Sequence, residues 1–359
     1  MPRRACLKNL LALATTAVLP APTFAQPAFP AVRPRPLVFP RDHGAHPGFR
    51  TEWWYATGWL NTAAGREVGF QITFFRVRTG HGEDNPSRFA PRQLILAHAA
   101  IADPAFGRLR HAERSARADG RYAGYGEDTA HVWLGDWSLQ LDGDTYRLAA
   151  RGEDFAYRLE LRANTLVLHG VGGFSQKAPD PLHASYYSSQ PQLAVSGKLT
   201  LAGQRETVTG RAWLDHEWSS ELLPAEAQGW DWVCLNLDDG SALMAFLMRD
   251  RQGKMLWAAA TLQAAGRTQT FAPSEVQFTA LRRWTSPRSS IVWPVSWRIT
   301  VGARSFELQP LLDDQELDSR KSTGAIYWEG AMRASEAGRV VGRGYLEMTG
   351  YGEKIRVGR

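Results

Sequence analysis

Asp215, His216 and Glu217 follow one another inside the stretch Val208-Thr209-Gly210-Arg211-Ala212-Trp213-Leu214-Asp215-His216-Glu217-Trp218. Two carboxyls and an imidazole set among indoles are the ingredients of acid–base chemistry, since apolar walls push such groups toward pKa values useful near neutrality. In an extended strand successive side chains face opposite ways. Ala212, Leu214, His216 and Trp218 therefore share one face, and Trp213, Asp215 and Glu217 the other. A second copy of the pattern, Val340-Val341-Gly342-Arg343-Gly344-Tyr345-Leu346-Glu347-Met348, repeats Val-x-Gly-Arg-x-aromatic-Leu-acid and carries Leu346 and Met348 where the first carries Leu214 and His216. The Leu/Met face reads as interior, so His216 replaces an apolar residue on an inward face. The plainer alternative makes His216 a hydrogen-bonded core histidine and Asp215 a strand-end acid facing solvent.

The elements that must position these groups are strands. Thr51-Glu52-Trp53-Trp54-Tyr55-Ala56-Thr57-Gly58-Trp59-Leu60, a turn over 61–66 and a Phe-rich run over 68–76 read as a hairpin. The same hairpin recurs as Trp230-Asp231-Trp232 running to Leu237, a turn at Asp238-Asp239-Gly240, and a strand over 243–249. Each half thus opens on a Trp hairpin and ends on the Gly-Arg strand, which indicates a diverged duplication. Further short strands are expected over 93–101, 131–141, 146–151, 155–162, 165–169 and 193–201, then 255–263, 268–271, 276–281, 295–301, 305–310 and 325–332. Only 219–228 hints at helix. The fold class is all-β, a sandwich or a pair of barrels.

With 359 residues and 44% hydrophobic composition the chain can bury a large core. Arg3-Arg4-Ala5-Cys6-Leu7-Lys8, an apolar run and Thr23-Phe24-Ala25 have the zones of an export signal, with the paired arginines of the twin-arginine type. Removing residues 1–25 takes away Arg3, Arg4 and Lys8 and no acid, so the formal charge falls from +6 to +3; nucleic acid is not an expected partner. Cys234 then stands alone, and an exported chain without an internal disulfide must rely on packing. A Pro-rich lead-in is expected over 26–41. No Walker loop, His-Glu-x-x-His or Gly-x-Ser-x-Gly is present. His43, His46 and His216 form no recognised metal-ligand spacing, and neither a metal nor an organic cofactor is expected.

Asp42-His43-Gly44-Ala45-His46-Pro47 with Thr51-Glu52-Trp53-Trp54-Tyr55, Ser185-Tyr186-Tyr187-Ser188, Trp213-Leu214-Asp215-His216-Glu217-Trp218 and Gly229-Trp230-Asp231-Trp232 together resemble the secreted, lipocalin-like family that includes carotenoid 1,2-hydratase and the AttH-type proteins. The likeness runs from about Asp42 to Tyr351. It implies a tandem pair of lipocalin-like (calycin) β-barrels, placed here at 42–220 and 221–359, and a periplasmic or secreted location. It also implies cofactor-independent addition of water to an apolar alkene, or a related hydrolase-like reaction. His216-Glu217-Trp218 matches the hydratases' His-x-Trp pair, whereas their Tyr-x-Asp has no counterpart in Leu243-Met244-Ala245-Phe246-Leu247.

Alkene hydration needs a carboxylic acid kept protonated by its surroundings and aromatic faces that tolerate a cation. Asp215, Glu52 or Asp231 is the candidate acid, His216 orients water or takes the second proton, and His46 either completes the group or caps local backbone. Trp53, Trp54, Trp218, Trp230 and Trp232 are candidate walls for an apolar or lipid-like ligand. Tyr186 and Tyr187 are candidates for the pocket mouth or for packing. Two alternatives to an enzyme stand beside this reading: a carrier or accessory of a membrane transporter, and an assembly role for the Trp-rich surface between the halves.

Overall fold

The protein, described by a computed structural model over residues 29–355 apart from Arg88 and Asn164, is built from two antiparallel sheets. The expected signal segment 1–25, and the start of the Pro-rich lead-in, lie outside the described residues. The first sheet uses β1 (Thr51–Thr62), β2 (Glu67–Arg78), β3 (Gln93–Ala102), β4 (Arg110–Arg117), β5 (Ala123–Tyr125), β6 (His131–Leu134), β7 (Trp137–Asp142), β8 (Thr145–Arg151), β9 (Phe155–Arg162), β10 (Val167–Leu168), β11 (Phe174–Gln176), β12 (Ala184–Leu201) and β13 (Gln204–Ser219). The second uses β14 (Gly229–Leu237), β15 (Ala242–Arg249), β16 (Met255–Ala264), β17 (Arg267–Phe271), β18 (Val276–Thr285), β19 (Val292–Val301), β20 (Arg304–Pro310), β21 (Glu316–Ser319), β22 (Ala325–Glu336) and β23 (Arg339–Met348). The helix hinted at over 219–228 is absent: that segment is a connection, consistent with Pro224 and Gly229 at its end.

Strand order exposes the duplication. The first sheet runs β4-β3-β2-β1-β13-β12-β9-β8-β7-β6-β5, and the second β17-β16-β15-β14-β23-β22-β20-β19-β18. In both, the last strand returns to pair with the first, β13 on β1 and β23 on β14. The first sheet curls until β4 lies against β5 and β6, nearly closing a barrel, while the ladder stays open between them.

Alternation along the sister strands is as the sequence reads. Ala212 and Leu214 enter the core inside the first sheet, with Trp54, Phe70 and Phe74. Leu346 and Met348 enter the equivalent core of the second, with Val233 and Trp293. The opposite faces are buried too. Tyr55, Trp59, Trp213 and Tyr187 of the first sheet meet Trp232, Cys234, Phe246, Tyr327 and Tyr345 of the second in a third apolar cluster between the sheets. That is why the Trp hairpins read as continuous apolar runs: their strands are covered on both sides.

The sheets dock closely and specifically. At Gly69 a Cβ would stand 2.6 Å from Tyr345 Oη and 2.7 Å from Ala331 Cβ, so only glycine allows this approach. Trp59 Nε1 donates to Gly344 O (3.1 Å) and Asn236 Nδ2 to Ala212 O (3.1 Å). A bulge in β12 puts Gln192 at φ 57°, where its N–H donates to Asn236 Oδ1 (2.8 Å). The lead-in, from Phe29 onward, is extended; Val32 packs on Ala184, Tyr186 and Trp218, and Tyr186 Oη donates to Arg33 O (2.6 Å).

Candidate functional site

Consecutive residues on β13 serve two different places. His216 faces the interior of the first sheet and Asp215 the space between the sheets.

On the inner face, Glu52 stands across from Trp218 and beside Trp54, which stands across from His216. Glu52 is fully buried. Its Oε1 lies 2.8 Å from His46 Nδ1 and 2.9 Å from His216 Nε2, and its Oε2 accepts from His46 N (2.8 Å) and Arg76 Nε (2.8 Å). Burial opposes its charge, but Arg76 and the two imidazoles hold the carboxyl well below the usual range. His216 is pushed down by burial and stays neutral against the pull of Glu52; its Nδ1 lies 3.1 Å from Asp42 O. His46 stacks on Trp218 with ring centroids 3.7 Å apart and an interplanar angle of 6°. His216 stacks on Trp54 at 4.8 Å.

The donor atoms of His46, Glu52 and His216 lie within 4.8 Å of one another, the one such group among the described residues. Each is already spent on a hydrogen bond within the group. A cation would enter only by breaking the bonds that lock the 41–50 loop onto β1 and β13. The network is a latch.

Against the expectation that His216 stands beside an open hollow, His216, Glu52 and His46 are buried and do not line the cavity between the sheets. Asp231 does not either. It sits inside the second sheet, accepting from Arg249 Nε (2.6 Å) and Tyr351 Oη (3.0 Å), a counterpart of the Glu52–Arg76 pair. Trp54, Trp218 and Tyr186 are likewise packing residues rather than ligand walls. Asp215 and Asp231 therefore do not gather with His216, whereas Glu52 does; the strand keeps its alternation.

The cavity lies on the other face, between the sheets. It measures about 870 Å³ and is walled by Trp53, Trp230, Trp232, Phe75, Phe246 and Met248, with Phe29 and Ile355 at its rim. The ladder fixes its polar groups. One cross-strand row of the first sheet reads Glu113, His98, Thr73, Tyr55, Asp215 and Ser189, across β4, β3, β2, β1, β13 and β12. The matching row of the second reads Phe246, Trp232, Glu347 and Glu329, across β15, β14, β23 and β22. Asp215 and Glu347, the acids of the two sister motifs, thus reach the cavity from opposite sheets.

Asp215 accepts from Tyr187 Oη (2.8 Å), Trp213 Nε1 (2.6 Å) and Ser189 Oγ, and Tyr187 Oη accepts in turn from Trp232 Nε1 (2.9 Å). Tyr187 therefore braces the cavity acid rather than lining the mouth. Burial raises Asp215 to about 7 against those three donors, with Glu217 adding to the rise. Glu347 is pushed up to about 8, by burial and then by the charges of Asp215 and Glu217. Burial and the facing Glu347 raise Glu329 well above the carboxylate range. Glu217 has Lys177 Nζ 2.9 Å away and accepts from Ser185 Oγ at 2.5 Å. At the far side His98 Nδ1 is 2.6 Å from Tyr327 Oη and its Nε2 2.8 Å from Ser322 Oγ; burial pushes His98 down to about 3.

The cavity can therefore present protonated carboxyls to an apolar molecule held among indoles. Tyr55, His98, Lys177, Glu329 and Glu347 are the cavity residues that sequence reasoning did not single out. Glu347 had a signal, its place opposite Asp215 in the repeated motif. The others had none, because only strand pairing and sheet docking bring them together.

A family model described as AttH-like matches residues 30–351. Among solved structures, a protein from Nitrosomonas europaea described as an AttH is similar at 49% identity, over 91% of this chain and 99% of that one, with a TM-score of 0.85. Kievitone hydratase from Nectria haematococca shares the fold at 16% identity, over 90% of this chain and 94% of that one, with a TM-score of 0.66. The protein CghA does so at 14% identity, over 84% and 89%, with a TM-score of 0.52. No curated protein matches the chain.

Proposed function

The chain belongs to the AttH-like family, and from that premise we propose that it is an exported, cofactor-independent acid–base enzyme that adds water to an apolar or lipid-like molecule held between its two sheets. The observation that carries this reading is the placement of Asp215, Glu347 and Glu329 in a Trp-walled cavity where burial keeps carboxyl protons on near neutral pH. Similarity of fold to a protein named as a hydratase agrees with it. The two sheets are read as a tandem lipocalin-like pair, 42–220 and 221–359, and the segment 1–25 as a twin-arginine-type signal delivering the folded protein to the periplasm or beyond.

In this mechanism Glu347, which makes no ion pair among the described residues and meets the Trp230 indole N–H, transfers its proton to one alkene carbon, and the neighbouring carbon becomes cationic. The faces of Trp53, Trp230 and Trp232 stabilise that charge by about 0.5–2 kcal/mol each. Water bonds to the cation and gives up a proton to the Glu347 carboxylate, which restores the carboxyl and leaves an alcohol. His216 takes no part; its latch holds β1 and β13 in the register that presents Asp215 and Tyr55.

The test begins with mass spectrometry of apolar compounds that co-purify with the exported protein, followed by turnover of each in isotopically labelled water. Glu347→Gln is expected to abolish label uptake and Asp215→Asn to reduce it. Unchanged uptake in both variants would end the enzyme reading. A ligand that co-purifies but is never transformed would favour a carrier, alone or beside a membrane transporter, for which the large apolar wall and the fully bonded Asp215 already speak.

A further inference from the structure

Two polar atoms in the cavity are left over after its hydrogen bonds are assigned. Tyr55 Oη and Glu329 Oε1 are buried, belong to residues at most 5% exposed, and find no protein partner among the described residues. They are close neighbours that interact across the gap between the sheets, but no hydrogen bond of good length and angle closes between them. A buried polar group without a partner is costly, and native structures retain few of them without a ligand, a water or a catalytic reason. The rest of the wall is otherwise: Asp215, Glu217 and His98 are each bonded within the protein.

We propose that Tyr55 Oη and Glu329 Oε1 together form a binding site for a single hydroxyl group, either water or the hydroxyl of an apolar alcohol, at the point where the two sheets meet inside the cavity. The chemistry follows from the pair. A phenol donates, a carboxyl oxygen accepts, and a hydroxyl is the small group that can accept from the first and donate to the second at once. A ketone or ether oxygen can only accept and brings no proton for the carboxyl oxygen that carries none; an ammonium can only donate and leaves the phenol proton unsatisfied. The site lies beside Glu347, directly across the ladder from Glu329. A hydroxyl held here is next to the proposed proton donor, which is where attacking water or product alcohol belongs. The inference deepens the hydration reading and rests on it for that role, but the binding preference itself does not require turnover.

The probes are decan-1-ol and n-decane, titrated into the purified mature protein while the fluorescence of the cavity tryptophans is followed. The wild type is expected to bind decan-1-ol about tenfold more tightly than decane, the ratio that corresponds to one net hydrogen bond of about 1.4 kcal/mol. Tyr55→Phe and Glu329→Leu are each expected to erase the preference while keeping decane affinity, which doubles as the control for folding. Equal affinity for the two probes in the wild type, or a full preference surviving Tyr55→Phe, overturns the proposal. Crystals grown with each probe separate the two sources and need no variant. With decane, an ordered water bonded to both Tyr55 Oη and Glu329 Oε1 supports the site; with decan-1-ol, either that water or the alcohol oxygen does. Neither atom found bonded to an oxygen in either crystal overturns it. Absence of any hydration activity alongside a preserved alcohol preference would strike the enzymatic reading and leave this site standing.

Discussion

Glu329 on β22 and Glu347 on β23 stand directly opposite one another in an antiparallel ladder, with the cavity in front of them and the second sheet's apolar core behind. Like charges in that position repel, so the pair is comfortable only while it keeps a proton. Glu347→Gln should therefore make the protein more stable at pH 9, by about 0.5–1 kcal/mol in urea unfolding, while lowering turnover by about a hundredfold or more. A variant that stays fully active would remove Glu347 from the chemistry.

The stability of the wild type should fall as pH rises from 6.5 to 8. Asp215 and Glu347 are raised to about 7 and about 8 in the folded protein, whereas both are ionised in the unfolded chain above about pH 5. The native state binds more protons, so the slope is negative, at most about 1.4 kcal/mol per pH unit for each group still titrating. This contribution is complete below the unfolded carboxyl values and lost as pH passes the folded ones. The double variant Asp215→Asn/Glu347→Gln should flatten the slope in urea titrations over this range; an unchanged slope would show that these carboxyls ionise normally.

Glu52→Gln should destabilise severely, by about 3–5 kcal/mol, because Arg76 is as deeply buried as its partner and would lose its counter-charge. His216→Ala should cost about 1–3 kcal/mol through the lost hydrogen bond to Glu52. In His216→Ala protein that remains folded, decan-1-ol affinity should stay within about twofold of wild type, since His216 lines no part of the cavity. Loss of turnover at wild-type stability would instead place His216 in the reaction.

The tryptophans should divide into two groups. Trp53→Ala and Trp230→Ala, on the cavity wall, should weaken binding of an apolar ligand about tenfold or more at modest cost in stability. Trp54→Ala and Trp218→Ala, fully buried under the latch, should cost about 3–5 kcal/mol. Paired calorimetric unfolding and fluorescence titration separate the groups, and a Trp54→Ala protein of normal stability that no longer binds ligand would contradict the division.

Much of this was present in the chain as written. The Trp hairpins, the sister Gly-Arg strands and the opposite orientation of Asp215 and His216 all follow from period-two alternation and from one motif repeated, because these are local properties of an extended backbone. Alternation also placed His216 inside, where Leu346 and Met348 confirm the face. It could not say which buried face holds a cavity. Both faces of β1 and β13 are covered, one by the sheet's own core and the other by the second sheet, and a continuous apolar run looks the same in either case.

Tertiary structure alone decided that Asp215 rather than His216 meets the cavity between the sheets, and that Tyr55, Glu329 and Glu347 join it there. Cross-strand register brings Tyr55 to Asp215 across 160 positions of chain, and docking of one sheet on the other brings Glu329 to Tyr55. Such contacts are fixed by the packing of whole sheets, with Gly69 allowing the close approach, and no stretch of sequence encodes them on its own.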